Sequence, residues 1–453
     1  MTQQKGGLKL RNPGKTGFTP IYDMINSPSS SLELLTYRSL KGFMITLNIS
    51  PEETEYLGLY GVQFTKPITS FILKFAVITP NNDQSLPVFK KIKKSSESKD
   101  SYFNEAKLQQ QTWKKSISGG RPEICPPVAN FSLFDNSNSK DLLAFLQTKT
   151  SGTLKPIVDY LLNCITSNSQ YGIGVISMPK VEMSDTFGNF IDSPKNSNFY
   201  GIKVNNETKN DVYASVSSKI VRLFIDIGVI HFDLHSGNAL VYKSNDNQIN
   251  SLIIDFGRAS NITNNIGDEY LTIVEKDKIL NDKKTCYDEL FKIGYDAPDD
   301  KKVKFITTVL DYISNEDHEK NQAIFQFSDR DRYQMDWYEN IRDNDTVKVK
   351  AFDLLKKSIE VSGTSSMLPA TIVNYEKKGY LVNFNNNVDS FVVPFTTQPS
   401  IQSTTEPSIQ STKDCDDNPG SPGCTLSGGK KRTRKIRKNK QSRKIKKSRK
   451  NRY

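Results

Sequence analysis

Hydrophobic and β-branched side chains cluster in short runs over residues 31–78, where Leu40–Leu47 and Phe71–Ile78 are interrupted by Pro51 and Pro67. Runs of that length with prolines between them predict strands joined by turns. From Ser101 the period changes. Phe103, Ala106 and Trp113 recur at helical spacing until Gly119-Gly120 stops them. A second helix is predicted over about Asp211–Ile227, where Val212, Val216, Ile220, Leu223, Phe224 and Ile227 form one apolar stripe and Gly228 supplies the C-terminal stop. Short apolar strands follow at Val229-Ile230 and Leu252–Ile254. Residues 265–360 read as mainly helical and heavily charged, which fits a bundle with solvated outer faces. At 370–394 strands return: ATIVNY and GYLVNF flank Glu376-Lys377-Lys378 as a hairpin, and Ser390–Val393 offers a third strand. From Thr396 the chain is low in complexity, with TQPSIQST (397–404) and TEPSIQST (405–412) as a direct repeat. Two such copies cannot stack a core, so the segment reads as a linker.

Charge changes this picture at one end. Lys plus Arg (62) against Asp plus Glu (50) gives a formal charge of +12, but residues 430–453 hold 15 of the basic side chains and no acidic one. The remaining 47 cations against 50 anions leave the body at −3. A run of like charge repels itself and buries no apolar area, so the excess belongs to a disordered tail. With 36% hydrophobic residues and 24 Phe the rest can build a core of two or three lobes, which excludes a coiled coil, a collagen-like chain and a wholly disordered one. The N-terminal MTQQKGGLKLRN has no apolar signal region, and Lys74 breaks the best apolar stretch well short of the roughly 20 residues of a membrane span. A soluble, intracellular protein is expected. The five cysteines, Cys125, Cys164, Cys286, Cys415 and Cys424, lack CxxC spacing and read as reduced bystanders.

The chemistry concentrates in HFDLHSGN (231–238) and LIIDFG (252–257). This segment resembles the protein-kinase-like superfamily, whose catalytic loop H-R-D-L-x-x-x-N precedes D-F-G. His231, Asp233, Leu234 and Asn238 stand at the matching offsets, followed by Asp255-Phe256-Gly257. The resemblance implies an α+β, two-lobed fold: a β-rich N-lobe over 31–175, a helical C-lobe over 176–345, then a helix with the small β appendix to 395. It also implies ATP and Mg²⁺. Phosphoryl transfer needs positioning and charge neutralisation, so Asn238 and Asp255 are expected as metal ligands and Asp233 as the base facing the attacking hydroxyl, with His231 bracing the loop. Upstream, FILKFAVI offers Lys74 for the α and β phosphates and YFNEAKLQQQ offers Glu105 to hold it, with the basic loop KKIKK (90–94) filling an unusually long 31-residue separation. VISMPKVEM (175–183) resembles the adenine-gripping strand and hinge, with Met178 and Val181 as the contact positions.

Several positions depart from the protein-kinase pattern. No G-x-G-x-x-G precedes Lys74, and SLKGF (39–43) offers Gly42 alone. His235 stands where Ser/Thr kinases carry a lysine for the γ-phosphate, and the form H-x-D-L-H-x-G-N looks more like small-molecule and atypical kinases, aminoglycoside phosphotransferase relatives among them. A neutral histidine there still donates a hydrogen bond, with less charge. Phe232 replaces the arginine that binds a phosphorylated activation loop, and Ala297-Pro298-Asp299 is a poor substitute for A-P-E. Gly14-Lys15-Thr16 is no P-loop, because Lys9 occupies the position of the required glycine. His318 stands apart in a charged stretch, and no zinc site is expected. Three readings follow: transfer to a protein Ser/Thr hydroxyl first, transfer to a small-molecule hydroxyl second, and a pseudokinase scaffold third. The complete set Asp233, Asn238 and Asp255 speaks against the third.

The terminal segment GGKKRTRKIRKNKQSRKIKKSRKNRY isolates Ile436 and Ile445 among cations. Its Gly-Gly followed by Lys/Arg resembles tails of giant-DNA-virus proteins, which implies a viral origin and a place in host cytoplasm, nucleus or virion. Such a composition attracts nucleic acid, anionic membrane or other polyanions without sequence readout. We therefore expect a 1–429 truncation to lose most binding to DNA or RNA while keeping turnover. Full-length binding should fall steeply with salt, because each neutralised phosphate releases condensed counterion. Equal binding by both forms in a salt titration would refute this electrostatic role.

Overall fold

Alternation along residues 70–79 decides how the N-terminal half packs. In a strand, side chains point alternately to opposite faces. Phe71, Leu73, Phe75 and Val77 join one buried cluster, whereas Ala76 and Ile78 join another. Lys74 shares the second face. A strand covered on both sides reads as a continuous apolar run, which is why FILKFAVI has one cation and no polar alternation.

The computed structural model describes residues 21–36, 39–51, 69–150, 152–244, 247–264, 271–314, 337–360, 384 and 388–391. All fall in the first of two units, Met1–Phe395; the second, Thr396–Tyr453, carries the expected linker and tail and lies outside the described residues. So do His318, Gly14-Lys15-Thr16 and the two hairpin segments, apart from Phe384.

The N-lobe begins with α1 (Ile21–Asn26), β1 (Ser31–Thr36), β2 (Phe43–Asn48) and β3 (Ser70–Thr79). It continues with the hairpin β4 (Ser85–Phe89) and β5 (Ile92–Ser95), then β6 (Glu97–Ser98) and α2 (Lys99–Ile117). β7 (Asn130–Phe134), α3 (Asn136–Lys149), α4 (Lys155–Ser167) and β8 (Gly172–Pro179) complete it. The sheet runs β1-β2-β3-β8-β7, with β6 parallel to β3. One face carries α2; the other carries α3 and α4 through Leu142, Leu143, Leu146, Ile157 and Leu161. Strand β2 starts at Phe43 rather than Leu40, because Ser39–Gly42 form a turn in which Leu40 is 52% exposed. The basic segment 90–94 is not a loop. Lys90 and Lys91 make the tight turn at φ 45° and 69°, and Lys94 enters β5 and is 4% exposed. The hairpin docks through Phe89, whose ring meets Phe43 at 5.3 Å and Tyr160 at 5.1 Å, both edge-on.

The C-lobe opens with β9 (Ser184–Thr186), α5 (Phe187–Asp192), the short pair β10 (Asn198–Phe199) and β11 (Ile202–Lys203), and α6 (Asn206–Arg222). Helix α6 starts five residues before the apolar stripe suggests, because Asn205 and Thr208 form a reciprocal capping box. It ends through a wide turn, Leu223–Ile227, on Gly228 at φ 82°. Next come β12 (Val229–Ile230), β13 (Ala239–Lys243), β14 (Ile249–Ile253) and β15 (Ser260–Asn261). Helices α7 (Ile273–Lys292), α8 (Asp299–Ser314), α9 (Glu339–Arg342) and α10 (Asp345–Glu360) follow. Val347, Ala351, Phe352, Leu355 and Ile359 of α10 belong to the same buried cluster as α6 and α8, so the lobe extends through Glu360. A strand-rich first lobe followed by a helical second lobe is the two-lobed kinase-like fold. Among the described residues no helix is long and apolar enough to cross a membrane.

Of the expected third C-terminal strand, Ser390 and Phe391 instead lie in a 3₁₀ turn, Val388–Phe391. Phe384 and Val388 pack on the N-lobe, with the Phe384 ring 5.6 Å from those of Phe103 and Phe131.

Gly174 in β8 lies opposite Ala76, on the face of α2. A Cβ there would sit 2.3 Å from the Tyr102 ring, so the absent side chain is what lets Tyr102 lie against the sheet. We predict that Gly174→Ala destabilises the protein by about 1–3 kcal/mol through overpacking, read as a lower urea midpoint. An unchanged midpoint would mean that Tyr102 yields freely.

Candidate active site

Placing Lys74 on the α2 side of β3 brings its ammonium to Glu105, one of the buried positions of α2. Lys74 Nζ donates to Glu105 Oε1 at 2.7 Å and Oε2 at 2.8 Å. It also lies 3.5 Å from Asp255 Oδ1 and 4.0 Å from Glu97 Oε1. Lys74, Glu105 and Glu97 are all under 5% exposed. Tyr102 Oη donates to the Lys74 carbonyl at 2.7 Å and fixes α2 to the strand at the same point.

One ammonium among three carboxylates sets the electrostatics. Burial alone would lower the Lys74 pKa, but Asp255, Glu105 and Glu97 outweigh it and hold it well above the usual lysine value. Lys74 keeps the Asp255 carboxyl below its usual range. Burial pushes the Glu105 carboxyl up to about 7 against the pull of Lys74, with Glu97 and Asp255 adding repulsion. Glu97 is raised for the same first reason.

Asp255 reaches this cluster only because its backbone is left-handed, at φ 64° and ψ 73°. For a non-glycine residue that conformation costs on the order of 1–3 kcal/mol and persists where the surroundings over-determine it. Gly257 packs directly beneath: a Cβ there would lie 3.4 Å from both Asp255 Oδ1 and Glu105 Oε2. Phe256 is buried with its ring edge-on to His231 at 5.1 Å.

The catalytic-loop residues are held by the pairing of β12 with β15 and of β13 with β14. His231 is fully buried and its Nε2 meets the Ile254 carbonyl at 3.0 Å, which assigns the proton to Nε2. Burial lowers its pKa, so it stands neutral and ties the loop to the strand before Asp255. Phe232 adopts φ 60° and turns into the core. Asn238 Nδ2 donates to the Asp233 carbonyl at 2.8 Å and to Asp233 Oδ2 at 3.3 Å, which leaves its amide oxygen unused by that pair. Asp233 is half-buried. His235 folds back so that its Nδ1 accepts from the Gly237 N–H at 3.0 Å, placing the proton of the neutral ring on Nε2.

At the other expected contact, Met178 lies inside the β3–β8 ladder opposite Ile72, with its sulfur 3.9 Å from Gln109 Nε2. Val181 is half-buried just beyond the ladder, and its carbonyl accepts from Ser184 Oγ at 2.6 Å. Structure thus brings Lys74, Glu105 and Asp255 together, and separately Asp233, His235 and Asn238 with His231 behind them.

Three further residues were not legible as site residues. Glu97 is the third carboxylate at Lys74. Trp337 is 1% exposed and its indole N–H donates to the Leu234 carbonyl at 2.8 Å, propping the catalytic loop from 103 residues away. Lys94 sits behind the Ser39–Gly42 turn, donating to the Gly42 carbonyl at 3.1 Å and to that of Ser39. The only hints in sequence are a tryptophan in a charged region and a lysine in a basic run that follows an isoleucine.

The donor set suits a hard cation. An amide oxygen and a carboxylate kept ionised by Lys74 are the kind of oxygen ligands that Mg²⁺ prefers. Among the described residues no group of three or more His, Cys, Asp and Glu has the arrangement of an all-protein metal site.

A family profile, the ABC1 atypical kinase-like domain, matches residues 187–290, less than a quarter of the chain but the part that holds His231 through Gly257. No curated protein matches the sequence.

The raised carboxyls of Glu97 and Glu105 carry a pH signature. A group whose folded pKa lies above its unfolded value stabilises the fold at low pH and loses that contribution as pH rises through the folded pKa. The protein alone should therefore lose thermal stability as pH rises from about 5 to about 8, and Glu97→Gln, which leaves Lys74 fewer anions to serve, should flatten that slope. Identical slopes in the two proteins would show that Glu97 is not coupled to the cluster.

Proposed function

We propose that the protein is an ATP- and Mg²⁺-dependent phosphotransferase, with the Ser/Thr hydroxyl of a protein as its principal acceptor. The observation that carries this reading is the junction of Lys74, Glu105 and Asp255, in which a strand and a helix contribute a buried ion pair and the D-F-G turn a half-buried carboxylate. A scaffold has no need to hold a lysine at 2.7 Å from one carboxylate and 3.5 Å from another beside a strained backbone.

In this reading Lys74 aligns the α and β phosphates, and Glu105 fixes the ammonium so that it loses no freedom on binding. Asn238 and Asp255 would hold Mg²⁺, which when bound neutralises charge on the phosphate oxygens. Asp233 accepts the proton of the attacking hydroxyl. His231, neutral and buried, keeps the loop carbonyl geometry rather than exchanging protons. His235 offers its Nε2 proton to a γ-phosphate oxygen, in place of a lysine charge. The hinge backbone at Val181 borders the adenine, and Met178 closes the side toward α2.

A small-molecule acceptor is the second reading. It is favoured by His235 and by the start of α8 at Asp299, which makes Ala297-Pro298-Asp299 a helix entry rather than a peptide-docking loop. Polyanion binding through residues 430–453 is proposed as separate from turnover.

The test is transfer from labelled ATP to a protein mixture and to a panel of small hydroxyl acceptors. Asp233→Asn and Asp255→Ala should each lower turnover by roughly a hundredfold or more while the fold is kept. Undiminished transfer in either folded variant would defeat the assignment. Label appearing only on small acceptors would select the second reading.

A further inference from the structure

No G-x-G-x-x-G precedes Lys74, but the turn between β1 and β2 leads directly into the strand that pairs with the Lys74 strand, β3. Phe43 pairs with Phe75, and a Cβ on Gly42 would fall 3.7 Å from Lys74 Cγ and 2.8 Å from the Phe75 carbonyl. The turn therefore lies against β3 beside the reactive lysine, and Gly42 is needed for that close approach rather than for flexibility.

What holds the turn comes from the segment that lengthens the Lys74–Glu105 spacing. Lys94 Nζ donates to the Ser39 and Gly42 carbonyls, the two ends of the turn. Ser95 N–H donates to the Leu40 carbonyl at 3.1 Å, and Lys41 pairs with Asp83 at 2.7 Å. Each of the four described residues of the turn, Ser39 to Gly42, is thus tied to 83–95. The Lys94 ammonium also lies 4.2 Å from the centroid of the Phe43 ring, which is itself packed on Phe89. Burial lowers Lys94 to about 8, so it remains charged at neutral pH.

We infer that Lys94 is a positioning residue for the nucleotide: from behind, it clamps the Ser39–Gly42 turn so that a fixed backbone, not a mobile glycine loop, covers the phosphates. This rests on the phosphotransferase reading above. The three carbonyls of Ser39, Leu40 and Gly42 are held on the hairpin side by Lys94 and Ser95, so the turn cannot swing away from β3 without breaking charge-assisted bonds. A buried ammonium bonded to backbone carbonyls leaves them unpaired when removed, which converts a rigid turn into a mobile one.

The experiment compares full-length wild type with Lys94→Met, Lys94→Gln and Lys94→Arg. Amide hydrogen exchange is measured without nucleotide, and kcat and KM for Mg-ATP in the transfer assay. Lys94→Met should speed exchange at residues 39–43 while β3 and α2 keep wild-type protection. KM for ATP should rise about tenfold with kcat within about twofold, because the turn acts on ground-state nucleotide binding. Lys94→Arg, which keeps charge and donors, should recover most of the loss, and Lys94→Gln should fall between. If Lys94→Met exchanges rapidly throughout β3, the Arg and Gln variants carry the comparison. Unchanged exchange at 39–43 in the folded variants overturns the clamp. A fall in kcat at constant KM overturns its role toward nucleotide. A wild type that neither binds nor turns over Mg-ATP defeats the phosphotransferase reading and the nucleotide role with it, while the exchange data still decide whether Lys94 holds the turn.

Discussion

A single buried ammonium among three carboxylates is the constraint on which the rest of this structure depends. Taking a charge out of water costs several kcal/mol even after relaxation, and Lys74 recovers it only if its partners are placed accurately. Glu105 does so with two short hydrogen bonds, Asp255 and Glu97 by proximity. The cluster is left with more negative than positive charge, a balance that favours further cations and explains why burial and mutual repulsion raise the Glu97 and Glu105 carboxyls. Electrostatic demand of this kind stabilises little by itself. In the phosphotransferase reading proposed above it is preorganisation for a polyphosphate with its metal.

Keeping α2 in register with β3 is the corresponding mechanical demand. Tyr102 ties the helix to the Lys74 carbonyl, and Gly174 makes room for its ring. At the far end of α2, Arg222 of α6 is 1% exposed and donates to the carbonyls of Ser116 and Pro122, with Asp226 bridging it to Arg121. Lys219 likewise donates to the Glu123 and Ser251 carbonyls. Buried cations of the C-lobe thus bind the backbone that leaves α2, so the helix carrying Glu105 is anchored at both ends. Phe384 packs between Phe103 and Phe131 on its outer side.

Elements that lengthen the N-lobe serve the same end. The α3–α4 pair covers the sheet face opposite α2, so that β3 is buried on both sides and its even positions are free to face the site. The β4–β5 hairpin braces the turn above Lys74. Below the cleft, Trp337 and the Gly188 N–H, which donates to the Ser236 carbonyl at 2.9 Å, support the catalytic loop from two other parts of the C-lobe.

Local pattern was enough to recognise β3, α2, α6 and the H-x-D-L-x-x-x-N and D-F-G motifs, and so to name Lys74, Glu105, Asp233, Asn238 and Asp255 as candidates. Each depends on periodicity or on spacing within a few residues, which the chain carries in itself. The periodic Leu142, Leu143 and Leu146 and the Asp135 cap of α3 were also present in the sequence, but the helical pair α3–α4 between β7 and β8 was not among the elements predicted from it. Glu97, Lys94 and Trp337 belong to a different class. Their roles arise from packing between segments up to 103 residues apart, and nothing local distinguishes a lysine that holds two carbonyls from one in water. Sequence therefore determined which titratable and amide side chains stand near one another along the chain. Only the tertiary structure decided which charges meet, because burial and distance, not identity, set their energies.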